Sequence, residues 1–197
     1  MHAIQPVSRE SAGQAERAVF DLVQKRFGSV VEPVAVSAHS PAVLEAVMGF
    51  ERAIARVARL PERLVHLVNL KAAALLGCSF CIDIGSHLAL AGGVTRAMLR
   101  DLPAYRESPE FTAAERAALA AAEAMTLGNG EIDDALWPLL RAHFDDAALV
   151  ELFAVIAWEN YRSRFNRAAG LTAQGFCPLE SRAAAESSGA RSERRSA

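Results

Sequence analysis

The side chains of this chain best suited to covalent chemistry are two cysteines three residues apart, Cys78 and Cys81, in the stretch LGCSFCIDIGSHLA from Leu76 to Ala89. Sulfurs at i and i+3 of a helix share one face and can close a disulfide with little backbone movement. Gly77 stops one apolar run and Gly92-Gly93 stops the next, which sets the pair in the first turn of a new helix. Open N–H groups and the positive end of the helix dipole favour a thiolate there, below the free cysteine pKa of roughly 8.5. Residue types alone leave three readings: a redox dithiol, half of a metal site, or two inert buried cysteines. The metal reading is disfavoured, because structural zinc wants four ligands and the chain has no second CxxC and only five scattered histidines. No metal and no bound cofactor are expected.

The elements that must hold this pair read as helices throughout. Apolar residues recur at helical spacing from Gln14 to Phe27, with Gly28 as a stop. Ser29 to Ser37 is short, apolar and interrupted by Pro33, and its state is left open. Ser40-Pro41 reads as a cap and first helical residue, opening a helix that runs to about Leu60. Pro61 opens the next, where Leu64, Val65, Leu67, Val68, Leu70, Ala73 and Leu76 leave so little polar face that the helix is expected at the centre of the fold. Past the cysteines, Thr95 caps a short helix, and Thr112 with Glu115 forms a capping box ahead of a helix over 113–127. Asp133 or Asp134 starts a helix over 135–143, and the longest run spans 147–169 with Gly170 beyond it. No convincing strand alternation occurs, so the fold class is all-α. Residues 1–12 read as a flexible arm, 13–180 as one helical domain, and 181–197, which has no large apolar residue, as a disordered tail.

At 197 residues and 52% hydrophobic content the chain can bury a sizeable core. A formal charge of −2 gives no electrostatic reason to expect nucleic acid or an anionic membrane as partner. The start of the chain lacks the basic-then-apolar order of a secretory signal and no apolar run is long enough to span a bilayer. A cytoplasmic location is expected, where three cysteines suit a cycling pair better than a disulfide framework.

The run HLVNLKAAALLGCSFCID from His66 to Asp83 resembles the carboxymuconolactone decarboxylase and alkylhydroperoxidase AhpD-like family over roughly residues 43–125. The segment from Glu159 to Leu171 is also similar to the closing helix of longer members. The resemblance implies an all-helical bundle with the CxxC at a helix N-terminus, a homo-oligomer, and reduction of a peroxide or disulfide by the dithiol with electrons from a thiol donor. It assigns attack to Cys81 and resolution to Cys78, whereas proximity to the open helix end favours the reverse, so the order stays open here.

Peroxidase members of that family carry E-x11-C-x2-C-x3-H, whose glutamate and histidine relay protons. This chain has His66 and Gly85 at those two places. His66 is therefore a candidate base in place of the relay, with a hydrogen-bonded core histidine as the alternative, and Gly85 is expected to leave a space empty. His87 stands about 120° off the Cys81 face of the helix and is read as a surface histidine. Asp83 and Ser79 are read as capping or structural, and Cys177 as a lone thiol. Asn160, Arg164 and Asn166, with Trp158 and Phe165, are candidates for a pocket or, more simply, for ties between helices. Two other functions stay in view: a cofactor-free decarboxylase or isomerase of lactone-like acids using His66 and arginines, and a non-catalytic redox-sensing oligomer.

Overall fold

The computed structural model describes residues 3–177, and among them helices and turns are the regular structure, with no strand. The helices are α1 (Gln14–Phe27), α2 (Glu32–Ser37), α3 (Pro41–Ile54), α4 (Glu62–Leu76), α5 (Ser79–Ala91), α6 (Arg96–Asp101), α7 (Ala113–Leu127), α8 (Leu136–Arg141) and α9 (Asp146–Ala168). Among the described residues they group into two compact units: 3–58 with 164–171, and 59–163 with 172–177. The sequence reading drew 13–180 as one domain; residues 178–180 and the tail over 181–197 lie outside the described residues.

In the first unit, Pro33 is the second residue of α2 and does not break it, since proline at the first helical positions gives up an N–H that has no partner anyway. The segment read as a flexible arm is tied down: the Ala3 N–H donates to the Ala169 carbonyl and the Val7 N–H to that of Ala35. Val36, Ala169 and Leu171 are buried together with Phe165 against them. α3 ends at Ile54, not near Leu60, and Ser40 makes no side-chain cap. Past Ile54 the chain continues as short-range turns, with Arg56 bonded to Ala53 and Val57 to Ile54.

The second unit is built on α4, as its apolar circumference requires. Leu64, Leu67, Val68, Leu70, Ala72 and Ala73 are buried. α7 lies parallel to it, because Arg63 pairs with Glu115 at one end and Lys71 with Glu123 at the other. The facing surface of α7 is mostly alanine: Ala117, Ala118, Ala121 and Ala122 are at most 4% exposed, so the two backbones approach closely. The capping box forms, Thr112 accepting from the Glu115 N–H and Glu115 from that of Thr112. α5 runs back along α4, and Leu67, Leu70, Ala89, Val94, Met98, Leu102, Tyr105, Phe111 and Leu119 close a core shared by α4 to α7. No helix of the described residues is long and apolar enough to cross a membrane.

Candidate active site

Gly77 reverses the chain between α4 and α5. It is left-handed, φ 66°, and the Cys78 N–H reaches back to the Ala73 carbonyl at 3.0 Å, the pattern of a glycine-terminated helix. Cys78 follows in extended conformation as the N-cap of α5, and its sulfur accepts the Cys81 N–H at 3.3 Å, the part an oxygen plays in an ordinary cap. Cys78 and Cys81 are paired as a disulfide with Cα atoms 5.3 Å apart, inside the range such a bridge requires. Both cysteines are buried, Cys78 fully and Cys81 with 7% of its surface exposed, so Cys81 is the less enclosed residue of the two.

The face of α5 carrying Cys81 and Gly85 turns toward α4. A Cβ placed on Gly85 would stand 3.1 Å from Leu70 Cδ2, so the space expected to be empty is filled by leucine. His66 packs against Gly92, where a Cβ would come within 2.5 Å of its ring. Gly92 stands eleven residues beyond Cys81, about 16 Å along the helix axis at 1.5 Å per residue. His66 is thus not brought to the dithiol: the reversed direction of α5 carries it to the far end, and its candidacy as a base for the thiols is not supported by its placement. Its own environment explains it otherwise. Burial pushes the imidazole below its ordinary pKa, with Glu62 Oε1 at 3.6 Å from Nε2 working in the opposite direction.

On another face of α5, Asp83, read as capping or structural, has partners that the sequence did not point to. Asp83 is fully buried, and its carboxylate accepts four backbone N–H groups: Oδ2 from Gln174 at 2.9 Å, Gly175 at 2.7 Å and Phe176 at 3.1 Å, and Oδ1 from Cys177 at 2.7 Å. The Phe176 ring stands edge-on to Phe80, centroids 6.4 Å apart, and 6.5 Å from the exposed His87. Cys177 is a buried free thiol. The readings of Asp83 as structural and His87 as a surface residue agree with this; the one signal available was an aspartate inside the apolar run Phe80-Cys81-Ile82-Asp83-Ile84.

The late-helix polar residues act as ties in part. Asn160 Nδ2 donates to Thr126 Oγ1 at 2.9 Å and to the Ile156 carbonyl at 3.0 Å, joining α9 to α7. Neither of two surface cavities, of about 440 and 620 Å³, has a cysteine in its lining. Among the described residues no group of three or more His, Cys, Asp or Glu side chains is placed to hold a metal ion.

An all-helical bundle whose glycine-stopped central helix delivers a dithiol as the cap of the next is an AhpD-like arrangement. The chain belongs to the carboxymuconolactone decarboxylase family, whose model matches residues 41–124. An uncharacterized Escherichia coli K12 protein, YnjA, is 34% identical over 159 residues, covering 80% of this chain and 87% of the relative. Of solved structures, a peroxidase-related protein with an alkylhydroperoxidase AhpD core from Ralstonia eutropha JMP134 superposes with a TM-score of 0.80 at 17% identity, over 89% of this chain and 94% of that one. The debrominase Bmp8 superposes with a TM-score of 0.77 at 23% identity, over 88% and 92%. At these identities the two superpositions speak for the fold alone.

Proposed function

We propose that this protein is a dithiol oxidoreductase that reduces a peroxide or disulfide through Cys78 and Cys81. The observation that carries the reading is the pairing of the two sulfurs at the start of α5, with Cys81 the less enclosed of the two. In the reduced protein a Cys81 thiolate attacks one peroxide oxygen. The O–O bond breaks, an alcohol leaves with a proton, and Cys81 becomes a sulfenic acid. The Cys78 thiol displaces water from it and the disulfide forms. A thiol donor returns two electrons and two protons by exchange through a mixed disulfide. With a disulfide substrate the first step is the exchange itself, and a substrate thiolate leaves.

Neither relay position of the peroxidase pattern supplies a titratable group here, since residue 85 is glycine and His66 lies at the far end of α5. Loss of a positioned acid or base costs about 10²–10⁴-fold, so peroxide turnover is expected to be slow beside members that keep the relay. Bmp8 extends the substrate question, because a cysteine-to-alanine variant of that protein has been solved with 2,3,4-tribromopyrrole. The deciding experiment reduces the protein, adds hydroperoxide, a small disulfide or a bromopyrrole in turn, and counts thiols by alkylation and mass. Loss of the two α5 thiols with a thiol-driven return supports the reading. Thiols that stay alkylatable in every arm of a folded protein refute it. The proposal includes self-association, for which exposed Leu127, Leu139 and Val150 offer apolar surface, and light scattering reads it directly.

A further inference from the structure

The cavity of about 620 Å³ lies at the end of α4 away from the dithiol: Arg63 lines it, and Arg63 and Leu76 stand about 20 Å apart along the helix axis at 1.5 Å per residue. Arg59 and Arg63 both face this cavity, together with two carboxylates, Glu115 and Asp145. The carboxylates are already committed. Glu115 Oε2 accepts the Thr112 N–H at 2.8 Å and its hydroxyl at 3.0 Å, and Oε1 takes Arg63 Nε at 2.8 Å and Nη2 at 2.6 Å. Asp145 Oδ1 accepts the Ala148 N–H at 2.8 Å. The arginines keep donors to spare. Arg63 is held at Nε and Nη2, which leaves Nη1, and it is held by a carboxylate that the capping box of α7 fixes in turn. Arg59 is anchored by its backbone, whose N–H donates to Glu151 Oε2 at 2.8 Å, and its guanidinium has no carboxylate partner among the described residues. The backbone around the cavity adds to the same sign of charge, because helices of 15, 15 and 23 residues, α4, α7 and α9, all begin there. α4 opens at Pro61 with no side-chain cap. Leu64, Ala114 and Phe144 make an apolar wall, and His143 lines the cavity with its ring against that of Phe144.

We propose that this cavity is a second binding site, separate from the dithiol, for a small organic anion, with its carboxylate or phosphate group between Arg59 and Arg63 and its apolar body against Leu64 and Phe144. A planar guanidinium presents paired N–H donors that match either head group, and the volume lies within the range of cavities that hold small ligands. Binding here involves no bond making or breaking and does not depend on the redox chemistry of Cys78 and Cys81.

The test titrates the full-length chain by calorimetry with benzoate, with phenyl phosphate and, as the same ring without a charge, with benzamide, all at one ionic strength set by sodium chloride. At least one of the anions should bind saturably, and benzamide should bind about tenfold more weakly or less, the size of one charge-assisted hydrogen bond. The tighter anion then names the head group. Arg59→Gln keeps the backbone bond to Glu151 and should weaken the anion by about tenfold or more while leaving benzamide as it was. Ala114→Leu, which fills the cavity from α7, should weaken anion and benzamide together, and it covers the case in which the arginine variant does not fold. No saturable heat with either anion at millimolar concentration would overturn the site. So would benzamide binding as tightly as the anions, or an anion affinity unchanged in folded Arg59→Gln or Ala114→Leu protein.

Discussion

Glu123→Gln is the substitution whose cost the structure allows to be worked out. Lys71 has its ammonium inside the second unit, its side chain 6% exposed, with Glu123 Oε1 at 2.6 Å and the Tyr105 ring at 4.7 Å. Glu123, 20% exposed, also accepts the Tyr105 hydroxyl at 3.0 Å and pairs with Arg106. Burial is the largest single influence on this carboxyl and opposes its charge, but hydrogen bonds from Lys71, Arg106 and Tyr105 together with the Lys71 charge outweigh it and hold the pKa below its ordinary 4.5. Removing one partner of a buried pair costs about 3–5 kcal/mol, because the other charge stays desolvated. Glutamine keeps a carbonyl for the tyrosine and the site is partly wet, which sets the expected loss near the lower figure, about 3 kcal/mol. At about 2–4 °C per kcal/mol for a chain of this size, Tm should fall by about 6–12 °C. The folded pKa is depressed, so the native state binds fewer protons than the unfolded one: the contribution is complete above 4.5 and is lost as pH falls through the lower folded value. The Gln variant should lack this part of the slope. Urea denaturation at pH 7, 5 and 4 reads all of this, and Lys71→Met with Glu123→Gln should recover stability over Glu123→Gln alone. A loss under about 1 kcal/mol, the size of an exposed pair, or no recovery in the double variant, would refute the burial argument.

Two further predictions concern the relay positions. Gly85→His should not restore proton relay but destabilise the protein, since its Cβ meets Leu70 at 3.1 Å; thermal melts should show the loss, and Leu70→Ala in the same chain should return part of it. His66→Ala should leave the pH profile of dithiol alkylation unchanged while altering stability against pH. His66 titrates below its ordinary 6.5 in the folded state, so the natural chain loses stability as pH falls below that value, and the alanine variant should lack this slope; a shifted alkylation profile would contradict the placement of His66.

Local chemistry explains what was legible in the sequence. Gly77 with Cys78, and Thr112 with Glu115, each lie within a few residues of their partners, so spacing alone located the dithiol turn and the capping box. The rest depended on direction and on backbone. His66 stands twelve residues before Cys78 and fifteen before Cys81 in an order that suggested proximity, yet the hairpin at Gly77 sends α5 back along α4 and pairs residue 66 with residue 92. Asp83 answers to N–H groups more than ninety residues away, and backbone donors leave no residue-type signature. Lys71 lies buried on the apolar helix α4, and only the parallel packing of α7 reveals Glu123 as its partner.

That parallel packing has a consequence for insertions and deletions. Arg63 with Glu115 and Lys71 with Glu123 share one sequence offset, and the two pairs stand eight residues apart on both helices. One residue added or removed between 115 and 123 moves one end of α7 by about 1.5 Å and turns it by about 100° against the other. Both ion pairs cannot then be kept, and the opened one at the Lys71 end strands an ammonium away from water. The helices are keyed at two points, so length variation in this family member belongs in its connecting segments, and substitution is the mode of change left to α4 and α7.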